Sequence, residues 1–155
     1  MTDPIIKELT VPLTPERAFR LFTEEMSDWW PLDTHSLSAS DGDVARAVKV
    51  PDHVGAQVEE TKPDGSRVPW GRVTEYDPGA AFGMSWHVGQ AEDMASHVRV
   101  TFTEAPNGTQ VRLIHDVWET MGPQAKETRA GYDTGWDFVL RDRFGAAVKR
   151  LKVIA

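Results

Sequence analysis

The stretch AGYDTGWDFVLRDRFGAAVKRL, residues 130–151, decides the fold. Its large apolar side chains recur at the spacing of one side of an α-helix; they are Tyr132, Trp136, Val139, Leu140, Ala147, Val148 and Leu151. The spacing predicts a long, amphipathic C-terminal helix. Gly131 and Gly135 lie next to this apolar side, although each glycine costs about 1 kcal/mol relative to alanine inside a helix. The pair indicates either close packing of another backbone or space left open for a ligand.

Upstream of this helix the rhythm changes to the two-residue alternation of β-strands. The predicted strands cover residues 5–11, 44–50, 54–62, 67–76, 81–88, 96–104 and 110–118. Thr14, Pro15 and Glu16 predict the start of a helix after the first strand, and a second short helix is expected before Pro31. Tight turn signals between successive strands, above all Asn107-Gly108, imply an antiparallel meander. The predicted class is therefore α+β, in the order β-α-α-β6-α, with the last helix covering one face of the sheet.

Residues 32–43, LDTHSLSASDGD, are polar and rich in Ser and Asp. They are expected to form a surface loop, which is either a plain connection or a lid over a pocket.

Composition limits the classes of function. The chain of 155 residues is expected to form a single domain, 1–155. A formal charge of −7 argues against nucleic-acid binding, and no apolar run approaches the length of a bilayer-spanning helix. The start MTDPIIKEL has no secretory pattern and the chain has no cysteine, so we expect a cytoplasmic protein without membrane insertion. The five histidines lack metal-ligand spacing and no cofactor-binding glycine loop is present, so neither a metal nor a cofactor is expected.

Several short motifs occur in a distinctive order. They are Pro15–Phe22, Trp29-Trp30-Pro31, Asp64-Gly65 before Trp70-Gly71-Arg72-Val73, Asp77-Pro78 before Phe82 and Trp86, Gly108-Thr109 before Val111, Leu113 and His115, and Gly131-Tyr132 with Gly135-Trp136. Together they resemble the helix-grip fold of the START-like (SRPBCC, Bet v-like) superfamily. The closest resemblance is to the bacterial family related to the C-terminal domain of the activator of the 90-kDa heat-shock-protein ATPase. The resemblance implies a curved antiparallel sheet of six or seven strands, wrapped around the C-terminal helix, with a cavity at one end.

The candidate lining residues of that cavity are Trp30, Trp70, Arg72, Phe82, Met84, Trp86, His115, Gly131, Tyr132, Gly135 and Trp136. The strand assignments rest on alternation, which a single bulge would reverse. Each candidate also has a structural explanation that needs no ligand. The aromatic residues can form the hydrophobic core, His115 can be a hydrogen-bonded core histidine, and Arg72 can be a solvated charge at the edge of the sheet.

Three functions remain open. The first is a binding protein for a small apolar molecule, either lipid-like or aromatic, because six Trp residues accompany the glycine pair. The second is an enzyme of the polyketide-cyclase or dehydratase type, with His115 or one of Glu59 and Glu60 as its acid or base. The third is a chaperone-regulating interaction protein. The resemblance supports that role only weakly, because the chaperone-binding N-terminal domain of the eukaryotic activator has no counterpart in this sequence. A homodimer is also possible.

Overall fold

The structure, a computed structural model, describes residues 2–154 and the side chains of residues 2–151. Its strands are β1 (Ile5–Val11), β2 (Ala47–Lys49), β3 (Gln57–Thr61), β4 (Arg67–Asp77), β5 (Ala81–Trp86), β6 (Ser96–Ala105) and β7 (Gly108–Asp116). Its α-helices are α1 (Pro15–Phe22), α2 (Leu37–Ser40), α3 (Ala125–Trp136) and α4 (Gly145–Ile154), with a π-helical segment (Asp137–Phe144) joining the last two. Short 3₁₀ segments occur at Met26–Asp28, Glu92–Met94 and Trp118–Gln124.

The seven strands form one curled antiparallel sheet in the order β1-β7-β6-β5-β4-β3-β2. Strands β2 to β7 follow one another as a meander, and β1 closes the other edge by pairing with β7, with Ile5 opposite His115. The C-terminal helical run lies in the concave face, where Trp136, Leu140 and Phe144 are buried. The α+β class and the helix-grip architecture are therefore confirmed.

Helix α1 begins where the sequence predicts. The Thr14 hydroxyl accepts a hydrogen bond from the Arg17 amide at 3.1 Å, and Pro15 occupies the first helical position, where no amide donor is needed. Its apolar side places Phe19 against Phe102 of the sheet, with ring centroids 5.3 Å apart. This packing fills the end of the sheet away from the start of α3.

The structure differs from the prediction in three details. The C-terminal helical run begins at Ala125 rather than at residue 130, because its first turn is polar and shows no apolar period. The run also contains a π-helical segment, in which the Gly145 amide reaches back to the Leu140 carbonyl. The strand predicted over residues 44–50 shortens to Ala47–Lys49, since the Ala45 amide bonds outside the sheet.

No helix among residues 2–154 has the length and apolar composition that crossing a bilayer requires. Within the same range, no three His, Asp or Glu side chains are grouped as metal ligands.

Candidate functional site

A cavity of about 280 Å³ opens between helix α3, the end of β5 and the segment just before α2. Its walls are mostly aromatic or small, with a few hydroxyl groups; the lining residues are Trp30, Thr34, His35, Ser36, Trp86, Val88, Thr128, Gly131, Tyr132, Gly135, Trp136 and Val139. Three indole rings meet around it, since Trp30 and Trp86 have centroids 6.0 Å apart and each lies within 5.8 Å of the centroid of Trp136. This is the composition expected of a small-molecule site, in which a few polar groups interrupt an apolar wall.

The structure brings six of the eleven predicted residues to this cavity. They are Trp30, Trp86, Gly131, Tyr132, Gly135 and Trp136. Four others, Trp70, Phe82, Met84 and His115, are buried in the core and do not line it.

Arg72 is the one predicted residue that points away from the core, which corrects its assignment to the cavity. Trp70 is the extra residue of a β-bulge, because Val58 pairs with Gly71 whereas Glu59 pairs with Pro69. Trp70 is therefore fully buried, whereas Arg72, two residues later, points outward. The Arg72 side chain lies on the surface, where it donates to Glu92 at 3.1 Å and to the Gly55 carbonyl at 2.9 Å.

The two helical glycines face open space. A Cβ atom built on Gly131 would meet no heavy atom within 4 Å, and one on Gly135 would meet only His35 Nε2, at 4.0 Å. Of the two explanations that the sequence left open, close packing of another backbone is therefore excluded. The glycines widen the cavity and cost the helix stability.

His115 lies behind the cavity wall, with both ring nitrogens occupied. Trp136 Nε1 donates to His115 Nδ1 at 3.0 Å, which fixes the ring proton on Nε2, and Nε2 donates to Ser96 Oγ at 2.7 Å. Burial is the main reason why the pKa of His115 falls to about 3, and the charge of nearby His97 adds to it. His115 is therefore neutral, inaccessible and structural, which removes it as an acid or base for a ligand.

Glu60 is the second candidate acid or base with a structural role. It is fully buried, and its carboxylate accepts from the Leu37 and Ser38 amides, the Ser38 hydroxyl and Trp70 Nε1, at 2.6 to 2.9 Å. Burial alone would raise the pKa of Glu60, but these hydrogen bonds outweigh it and hold the pKa below its usual value. Glu60 thus anchors α2 and the segment of residues 32–43, which we call the lid because Thr34, His35 and Ser36 line the cavity.

Tyr132 presents a polar group to the cavity. Trp86 Nε1 donates to its hydroxyl oxygen at 2.9 Å, and the two rings meet edge to face. No acceptor for the Tyr132 hydroxyl proton occurs among the side chains of residues 2–151. Burial raises the pKa of Tyr132, so the phenol keeps its proton at neutral pH and can donate it to a ligand.

The lid contributes residues that alternation along strands could not reveal. His35 lies in the cavity wall, its ring stacked on Phe138 at a centroid distance of 5.3 Å. Its carbonyl accepts from Trp30 Nε1 at 2.7 Å, and its Nδ1 lies 2.7 Å from the Thr34 hydroxyl. The length and polar composition of this segment allowed a lid to be considered, but they did not identify His35.

Four large apolar side chains are strongly exposed among the described residues, namely Ile6, Val44, Val54 and Val117. They belong to four different segments, so their distribution gives no specific support to a chaperone-binding patch.

The sequence model of the family described as "Activator of Hsp90 ATPase homolog 1-like protein" matches residues 12–149. No curated protein sequence matches the chain.

Solved structures give the same picture of the fold. An AHSA1-like protein from Aeromonas hydrophila is 19% identical, with 97% of this chain and 94% of that chain covered and a TM-score of 0.61. A protein from Rhodobacter sphaeroides is 15% identical, with 98% and 93% covered and a TM-score of 0.70. An anthrahydroquinone-γ-pyrone synthase, Txn09, is 27% identical, with 85% and 88% covered and a TM-score of 0.58.

Proposed function

This chain belongs to the family of activator of Hsp90 ATPase homolog 1-like proteins, and on that premise we propose that it binds a small, largely aromatic molecule between its sheet and its C-terminal helix. The proposal is carried by the glycine pair. Alanine at Gly131 or Gly135 would strengthen the helix by about 1 kcal/mol without a clash, so two glycines that face empty space are best explained by a use for that space.

The size and lining of the cavity support the choice of ligand. An apolar cavity of about 150 Å³ holds benzene, so 280 Å³ suits a fused two-ring compound. Flat ligands suit walls made of Trp30, Trp86 and Trp136, since offset and edge-to-face aromatic contacts add about 0.5–1.5 kcal/mol per pair. The name of the synthase relative, which describes a fused aromatic carbonyl compound, points to the same chemical class.

A cyclase-type reaction that uses His115 or Glu60 is not supported, because both side chains are buried and fully hydrogen-bonded. No observation on the surface favours chaperone regulation over ligand binding. We expect the protein to act in the cytoplasm, since a chain without cysteine needs no oxidising compartment.

Binding can be tested with 1-tetralone, a fused two-ring ketone, by following tryptophan fluorescence and thermal unfolding. Because three indoles line the cavity, we expect a saturable change in emission. Ligand at 100 times its dissociation constant should add about 2.7 kcal/mol to the free energy of unfolding. The matched control is Gly131→Leu, whose side chain would extend into the empty space and abolish both effects. If the wild-type protein does not respond to 1-tetralone or to its quinone and naphthol analogues, or if Gly131→Leu responds as strongly as the wild type, the proposal fails.

A further inference from the structure

We propose that His35 and Tyr132 act on the bound molecule as general base and hydrogen-bond donor, converting a fused aromatic ketone reversibly into its enolate inside the cavity. The inference rests on the proposed function, because it requires a ligand of that class in the same space. The geometry that carries it is the convergence of two polar groups with unused hydrogen-bonding capacity on one apolar cavity.

Tyr132 supplies the donor. Its oxygen already accepts the Trp86 indole proton at 2.9 Å, so the remaining role of the phenol is to donate. A donor polarised in this way, within an aromatic wall, stabilises the negative charge that develops on a carbonyl oxygen as an enolate forms.

His35 supplies the base. Its Nε2 is the atom nearest to the Cβ position of Gly135, at 4.0 Å, and it has no hydrogen-bond partner among the described residues. Its Nδ1 lies 2.7 Å from the Thr34 hydroxyl, which accepts a proton from Nδ1 in the tautomer that leaves a lone pair on Nε2. Stacking on Phe138 fixes the plane of the ring, so this lone pair faces the cavity.

The two groups reach the ligand from two elements: Tyr132 lies on α3, and His35 lies on the lid, which approaches α3 at Gly135. Gly135 is three residues after Tyr132, which places the two positions side by side on one face of α3. A ketone whose oxygen accepts from Tyr132 therefore has its adjacent methylene on the His35 side. The missing side chain of Gly135 leaves the room in which that methylene can approach Nε2.

The step is a balanced proton transfer. The C–H bond next to the carbonyl breaks and its proton moves to His35 Nε2. The electron pair of that bond forms the C=C bond of an enolate, and the carbonyl π pair moves to the oxygen, whose negative charge accepts the Tyr132 hydrogen bond. Return of a proton from the imidazolium restores the ketone. Ketosteroid isomerase performs this chemistry with an Asp base and with a Tyr and a protonated Asp as donors; here an imidazole takes the place of the base and Tyr132 is the donor.

The charges around His35 support a neutral resting base. Burial is the main cause that lowers the pKa of His35, and the charge of Arg143 also lowers it, whereas the charge of Asp33 raises it. The net shift is downward, so the imidazole is unprotonated at neutral pH. Arg143 lies 3.9 Å from Asp33 and 5.2 Å from the centre of the Phe138 ring, on which His35 is stacked, so both charges are close to the imidazole. Asp33 then stabilises the imidazolium that forms during transfer.

The experiment measures deuterium uptake at C2 of 1-tetralone in D₂O by proton NMR, with the full-length protein at neutral pH. We expect exchange faster than in buffer, in proportion to protein concentration. His35→Gln and Tyr132→Phe should each lower the protein-dependent rate by about 100-fold. His53→Gln is the matched control for adventitious imidazole catalysis, since His53 is exposed and remote from the cavity, and it should leave the rate unchanged.

Binding of 1-tetralone is measured on the same samples by tryptophan fluorescence. Binding without exchange, or exchange that survives His35→Gln, would overturn the inference and leave the binding function standing. Absence of binding would instead overturn both. Thermal unfolding shows whether each variant is folded, and His35→Gln decides the outcome if Tyr132→Phe unfolds.

Discussion

Replacing Gly131 with alanine should make the protein more stable. The added methyl group would enter open space, since no heavy atom lies within 4 Å of its position. Because alanine has a higher helix propensity than glycine, the free energy of unfolding should rise by about 1 kcal/mol. For a chain of this length such a gain raises the melting temperature by about 2–4 °C. Gly135→Ala should add a similar amount, because its methyl group would meet only His35 Nε2 at an ordinary contact distance of 4.0 Å.

The assay is urea denaturation of both single variants and the double variant, alongside 1-tetralone binding. The double variant should gain about 2 kcal/mol in the free energy of unfolding and lose affinity, because both methyl groups occupy ligand space. Gly122→Ala is the matched control. Its surroundings are equally open, but its φ is +59°, so alanine should destabilise the protein by about 1–3 kcal/mol. If Gly131→Ala instead destabilises the protein, the glycine serves backbone packing and the case for a functional cavity collapses.

Three further changes test other parts of the structure. Trp136→Ala should lower the free energy of unfolding by about 3–5 kcal/mol, because it removes a buried ring and leaves His115 Nδ1 unpaired. A loss below about 1 kcal/mol in urea denaturation would contradict the burial of Trp136 in the core. Val117→Gly should stabilise the protein by about 1 kcal/mol in the same assay, since Val117 is 38% exposed and held at φ 61°, where a β-branched residue is strained. Glu60→Gln should cost about 2–3 kcal/mol at pH 7. Because the pKa of Glu60 is lowered in the folded protein, its contribution to the free energy of unfolding is present above the unfolded value near 4.5 and is lost as the pH falls through the folded pKa. The free energies of unfolding of the wild type and the variant should therefore converge in acid. A difference that stays constant with pH would refute the role of Glu60 as a lid anchor.

Alternation predicted the sheet well wherever the strands are regular. In β5 and β6, Phe82, Met84, Val98 and Val100 all point inward as period two requires. The same rule failed in β4, because the bulge at Trp70 inserts one residue and reverses the direction of the side chains from Gly71 to Val73, before a second register shift between Val73 and Glu75. Pro69 indicates a bulge or an edge in this strand, but nothing in the sequence identifies which residue is inserted.

The cavity was harder to predict than the fold. Residues on α3 and at the end of β5 could be found from helical and strand spacing, which is why Tyr132, Trp136 and Trp86 were identified. The lid has no repeating period, so neither His35 nor the Ser38 contact with Glu60 could be placed in space. His115 was correctly seen to face inward, but its satisfied state depends on Trp136 and Ser96, which are distant in sequence and meet only in the folded chain.

Two indole hydrogen bonds join helix and sheet in opposite directions, with Trp136 donating to His115 on β7 and Trp86 on β5 donating to Tyr132. Such a pair opposes rolling of α3 about its own axis, because each bond joins a side chain of the helix to a different strand and both would have to break. The hollow beside the helix should therefore keep its shape when it is empty. The cavity would then be preorganised for a ligand, and little of the binding free energy would be spent on rearranging the protein.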